Sequence, residues 1–316
     1  MRPTIYLAAA AMVISTASLR AFASVTRELR VDARAPRLWP LQDAQRQDPQ
    51  QKGPQRQDQT QQRPPKLSAW PKLSKRDGDR ARAAAKQFRK QQAQLHSAAS
   101  ARLKQMGAGV APILIPLISD RAQNINEHIF EVLDHVVDKT HAALLARETK
   151  RKSAACRRYV ARRLAGMRDK EMLPVLKRML ADKDEDVAFF AALGALAVGE
   201  DIGVDGVLAA ARQRWGEQRA LIAATLAQAR SDRTGMLVWS RIEGARPTDQ
   251  MAGLRLLRYL ATKEQRGRLR RYLESADFAV KREAINTARV LHGEAALEKI
   301  SSFQAINLAK QWLEKL

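Results

Sequence analysis

The chain contains one cysteine, Cys156, in 316 residues, and only 5% of its residues are aromatic. A single thiol excludes an intramolecular disulfide, and with it any zinc or iron–sulfur centre built on cysteines, because each needs two or more thiolates at defined spacing. Cys156 follows Ala154 and Ala155 in an apolar helical run, where a small core residue is expected. Scarce aromatics and abundant alanine favour thin, closely packed helices over a thick aromatic core. The sequence also lacks a nucleophile elbow, a phosphate-binding glycine loop and a paired-histidine zinc motif, so neither an enzyme nor a cofactor is expected from its residues. Acid is the scarce charge: 33 Asp and Glu stand against 56 Lys and Arg, a formal net charge of +23. Such an excess points to acidic proteins, anionic polysaccharide, acidic lipid headgroups or nucleic acid as partners.

Hydrophobic runs are short. The longest opens the chain, where Arg2 precedes an apolar stretch over 5–19 and Ala21-Phe22-Ala23 offers a small-x-small cleavage site. That layout predicts an export signal over 1–23, and hence a periplasmic, cell-surface or secreted protein. The run is shorter than the ~20 residues of a membrane span, so an uncleaved anchor is the alternative and no integral span is expected after cleavage. Residues 24–76 read as a disordered linker rich in Gln, Pro and Arg, in which Gln45-Arg46-Gln47-Asp48 recurs as Gln55-Arg56-Gln57-Asp58. Two apolar islands flank it, one around Trp39 and one around Trp70. They are either docking motifs or, for Trp70, a contact with the first helix of the folded part.

From residue 77 to 316 the pattern is continuously helical. Aligning helical hairpins superposes Leu103, Leu133, Leu164, Leu196, Leu226, Leu260 and Leu291, with steps of 30, 31, 32, 30, 34 and 31 residues. Four positions before each stand Ala99, Ile129, Val160, Ala192, Ile222, Leu256 and Thr287, and eight before the first four stand Leu95, Ile125, Cys156 and Ala188. These columns predict core. A period of this size is the signature of a stacked array in which each unit covers its neighbour's apolar face, so the expectation is an all-α fold, an α-solenoid of about seven helical hairpins.

The clearest copy spans 171–199. Leu173-Pro174, then Leu180-Ala181-Asp182, then Asp186-Val187 opening a helix that runs to Ala195-Leu196, resemble HEAT repeats, with weaker copies at Ile115-Pro116-Leu117 and Tyr272-Leu273-Glu274. The short period is similar to that of bacterial HEAT-like repeats. In such arrays the second helices line the concave side, which the resemblance carries over to Arg158, Tyr159 and Arg162, and to Arg255, Arg258, Arg282 and Arg289. Arginine suits bidentate capture of carboxylate or phosphate, so these residues are the expected partner-binding surface; the bland alternative is a solvated face that only maintains solubility.

Two other constellations invite chemistry. His128, His135 and His141 accompany Glu127, Glu131, Asp134 and Asp138, but His128 and His135 lie about 10.5 Å apart along a helix, too far to share an ion, so no metal is expected. The acidic turn Lys183-Asp184-Glu185-Asp186 reads as a cap for the helix that follows it. The functional expectation is therefore a non-enzymatic exported scaffold whose basic concave surface binds an acidic protein or anionic envelope polymer. The alternative is a HEAT-like nucleic-acid-binding protein, which the export signal disfavours.

Overall fold

The computed structural model describes residues 67–90 and 92–316, and all of these fall in one compact unit. The predicted export signal, the glutamine-rich repeats and the Trp39 island lie outside the described residues. Within them the secondary structure is helical, with no strand. None of these helices is long and apolar enough to cross a membrane.

Seven helix pairs follow one another. Their second members are α2 (Ala93–Gln105), α4 (Gln123–Val136), α6 (Ala154–Met167), α8 (Glu185–Ala197), α10 (Trp215–Leu226), α12 (Pro247–Leu260) and α14 (Phe278–Leu291). Their first members are α1 (Lys75–Gln87), α3 (Ala111–Leu114), α5 (Ala142–Ala146), α7 (Leu173–Met179), α9 (Val204–Gln213), α11 (Asp232–Ile242) and α13 (Arg270–Leu273). Several first members are brief and extended by 3-10 turns, because proline at the start of α3 and α7 suits only the first helical turn. A last helix, α15 (Ser302–Lys315), packs on α13 and α14.

The sequence places the helix starts. Ser153, Asp184, Ser231 and Asp277 each accept a hydrogen bond from the backbone N–H three residues on, opening α6, α8, α11 and α14. The acidic turn is thus a cap, with Asp184 accepting from Val187 N at 3.2 Å. At the other end, Gly199 and Gly293 adopt a φ of 85°, which glycine tolerates without steric cost.

Every aligned leucine lies in the second helix of its pair and is at most 1% exposed, and the column four positions earlier is buried throughout. The second helices meet side by side, α2 on α4, α6 on α8, α8 on α10, α10 on α12 and α12 on α14. Two apolar clusters result, and they divide within α8: Val187 and Ala191 join the N-terminal one, Leu193 and Leu196 the C-terminal one. Cys156 is 1% exposed, and burial pushes its thiol pKa up to about 11.

The expected boundary at 76/77 moves. Helix α1 begins at Lys75, and Trp70 stacks on the His141 ring with centroids 5.4 Å apart and planes 14° from parallel. Arg147 Nη2 holds the chain beside it by donating to the Ser68 carbonyl at 3.1 Å. Trp70 therefore packs on the folded unit, against His141 at the start of the third pair and the apolar cluster that includes Ala81, Ala84 and Ala85 of α1.

Candidate functional site

Ionic contacts follow the repeat. Arg157 donates from Nε and Nη2 to the two oxygens of Asp182 at 2.7 and 2.9 Å, and Arg158 does the same to Asp184 at 2.8 and 2.6 Å. Arg162 reaches Asp134 at 2.8 Å, and Arg214 reaches Asp186 at 2.7 Å. Partners in these pairs are 25 to 28 residues apart, somewhat less than one repeat, so each links a second helix to a neighbouring second helix or to the turn that opens one. Hydrogen bonds from Arg157 and Arg158 hold the Asp182 and Asp184 carboxyls below the usual carboxylate range. The Asp184 side chain thus caps α8 and pairs with α6 at once.

This changes the status of the first predicted cluster. Arg157, Arg158, Arg162, Arg163 and Arg214 share Asp134, Asp182, Asp184 and Asp186, so local charge is nearly matched. Tyr159 is a core residue, 2% exposed and stacked on Phe130 with centroids 4.8 Å apart; it offers no surface to a partner. Its place in the binding set is corrected by its helix face: Tyr159 lies one position beyond the outward-facing Arg158, and 100° of helical rotation turns it inward.

The second predicted cluster is different. Arg255 and Arg258 on α12, and Arg282 on α14, converge on one carboxylate, Glu283. Arg255 Nε donates to Glu283 Oε1 at 3.3 Å and Arg282 Nη2 to the same oxygen at 3.2 Å, while Arg258 Nη2 donates to Oε2. Arg255 also donates from Nη1 to the Ala211 carbonyl at 2.8 Å and lies 5.4 Å from the centroid of the Trp215 ring. Arg258 is buried, at 7% exposure, and its Nε has no hydrogen-bond partner. Burial, reinforced by repulsion from Arg255 and Arg282, lowers the Arg258 pKa to about 10, which still leaves it charged at neutral pH. Three guanidiniums therefore share one carboxylate, and the surplus positive charge is concentrated where water is partly excluded.

Arg289 is not part of this group. It turns to the end of its own helix, donating to the Ala295 carbonyl at 2.8 Å and pairing with Glu294 at 3.0 Å. The three histidines considered as ligands also separate: His128 stacks on Phe88, His141 lies under Trp70, and His135 is exposed.

The residue that sequence reasoning missed is Glu283. Its signal was present, since Glu283 stands eight positions before Leu291, in the column expected to be core from Leu95, Ile125, Cys156 and Ala188, although of these four only Cys156 is fully buried and the others are half-buried. A carboxylate in an apolar column needs partners, and neighbouring arginines supply them.

No protein-family model matches the chain, and no curated protein matches it. Among solved structures, human deoxyhypusine hydroxylase in complex with glycerol aligns over 76% of this chain and 98% of its own, at 15% identity and a TM-score of 0.31. Against the expectation that the chain is not an enzyme, the structure in this match is that of a hydroxylase. At that identity and TM-score, the likeness brings no substrate, cofactor or reaction to this chain.

Proposed function

We propose that the chain is an exported HEAT-like α-solenoid scaffold that binds a carboxylate-rich partner, an acidic protein or an anionic envelope polymer, at Arg282, with the more buried Arg255 and Arg258 adding unneutralised charge behind it. The observation that carries this reading is the three-to-one ratio of guanidinium to carboxylate around Glu283. The matched arginines nearer the N-terminus have no comparable surplus. The Arg282 guanidinium, 34% exposed, presents this surplus charge at the surface, where a carboxylate would be taken in bidentate geometry. The regular leucine register supports the solenoid, and the layout of residues 1–23 supports export.

Binding of poly-glutamate to the whole chain tests the reading. Arg282→Glu is the variant of choice, because the Arg282 side chain is 34% exposed and, among the described residues, Glu283 is the one carboxylate that holds it. Its affinity is expected to fall about tenfold, a loss of ~1.4 kcal/mol. An unchanged affinity would overturn the site. Tight, steeply salt-dependent binding of duplex DNA that displaces poly-glutamate would replace it with the nucleic-acid reading.

A further inference from the structure

Away from the arginine cluster, an open groove of about 860 Å³ runs between the turn after α1 and the start of α4. Two imidazoles, His96 on α2 and His128 on α4, meet on its wall with ring centroids 4.3 Å apart. His128 also stacks on the buried Phe88 ring, with centroids 5.4 Å apart and planes 21° from parallel. The His96 Nε2 lies 2.5 Å from the Lys90 carbonyl oxygen, which can only accept. Nε2 is therefore the donor, which leaves Nδ1 as the unprotonated nitrogen of the neutral ring.

The charged groups around this pair are unevenly matched. Arg89 and Lys90 come from the turn after α1, and Arg121 from the turn before α4; all three are exposed. Asp120 is already engaged, accepting from Ala154 N at 3.2 Å and Ala155 N at 2.6 Å in the first turn of α6. Glu131 is taken by Lys104 at 2.6 Å, which leaves Glu127 and the engaged Asp120 as the carboxylates of the rim. When both rings are protonated, five cationic groups line the groove against two carboxylates, Asp120 and Glu127. Two imidazoliums at this separation repel each other, and an anion bridging their edges would offset that repulsion.

We propose that this groove is an acid-gated site for a small divalent oxyanion, of the sulfate or phosphate class, bound from the groove side across the edges of His96 and His128 and flanked by Arg89, Lys90 and Arg121. The site gains its charge for an anion as His128 protonates. Burial, with repulsion from His96 as the next cause, holds the His128 pKa below its ordinary value, so the switch lies on the acid side of neutrality.

The test is an NMR titration of the histidine ring protons of the whole chain, in sodium sulfate and in sodium chloride at equal ionic strength. Sulfate is expected to raise the His128 midpoint by about half a pH unit or more relative to chloride, because an anion that binds the protonated form favours it. The exposed His135, on the same helix but outside the groove, should move much less. His96→Gln should abolish the sulfate-dependent rise at His128. Equal midpoints in the two salts would overturn the proposal. So would an equal rise at His135, or a rise that survives in His96→Gln, since either would reflect the general field of a basic protein.

Discussion

Replacing Glu283 with glutamine preserves the shape of the side chain and removes the one negative charge that three arginines share. The Glu283 side chain is 6% exposed, Arg258 9% and Arg255 12%, so solvent does little to screen what is left behind. Breaking a buried pair while leaving its partner charged costs ~3–5 kcal/mol. For a folded unit of this size, each kcal/mol shifts the melting temperature by roughly 2–4 °C, so Glu283→Gln should melt roughly 6–20 °C lower. Glu243→Gln is the matched control, because Glu243 pairs with Arg271 at 2.6 Å but both side chains are more than half exposed. That variant should lose at most ~1 kcal/mol. Helical circular dichroism followed through the melt reads both. Adding Arg282→Gln to Glu283→Gln should recover part of the loss, since it removes one of the unneutralised charges. If Glu283→Gln melts with the Glu243→Gln control, the carboxylate is not what holds the three guanidiniums together, and the argument for a charge-unbalanced site falls with it.

Leu196→Ala truncates a fully buried side chain in the cluster that begins within α8, and it should cost ~2–5 kcal/mol and lower the melting temperature by several degrees; an unchanged melt would contradict the repeat register. Cys156 should resist a thiol-reactive probe at neutral pH in the native chain and react once the chain is unfolded in urea, because burial raises its pKa to about 11; rapid native labelling would refute this. Urea midpoints in chloride should fall in two stages on acidification. His128 and His292 both have folded pKa values lowered chiefly by burial, so their contribution is complete above about pH 6.5 and is lost as pH falls from there through the folded values. Asp182 and Asp184, lowered chiefly by Arg157 and Arg158, hold their contribution above about pH 3.9 and lose it as pH falls further; a midpoint that does not change between neutrality and about pH 3 would refute both assignments.

Much of the architecture could be read locally. The leucine column and the one four positions before it are buried because helical periodicity places them on one face, and a helix pair that exposes such a face must cover it with a neighbour. Ser153, Asp184, Ser231 and Asp277 announce helix starts by chemistry that spans three residues. The site was less legible. The sequence picked out Arg255, Arg258 and Arg282 but grouped Arg289 with them, and it treated Arg158 and Arg162 as free when Asp184 and Asp134 hold them. Tyr159 was misplaced for the same reason: one step along a helix separates an outward arginine from an inward ring.

Helix positions, their caps, the apolar register and the basic composition were therefore determined by the sequence alone, because each depends on contacts within about one helical turn or on totals. Tertiary structure decided which charges cancel. Partners 25 to 28 residues apart meet only when one second helix lies beside the next, and small differences in that placement give Arg158 an aspartate of its own while three arginines are left to share Glu283. Residues 184 and 186 illustrate the division: their sequence marked a helix cap, and only the fold made them the counter-charges of Arg158 and Arg214.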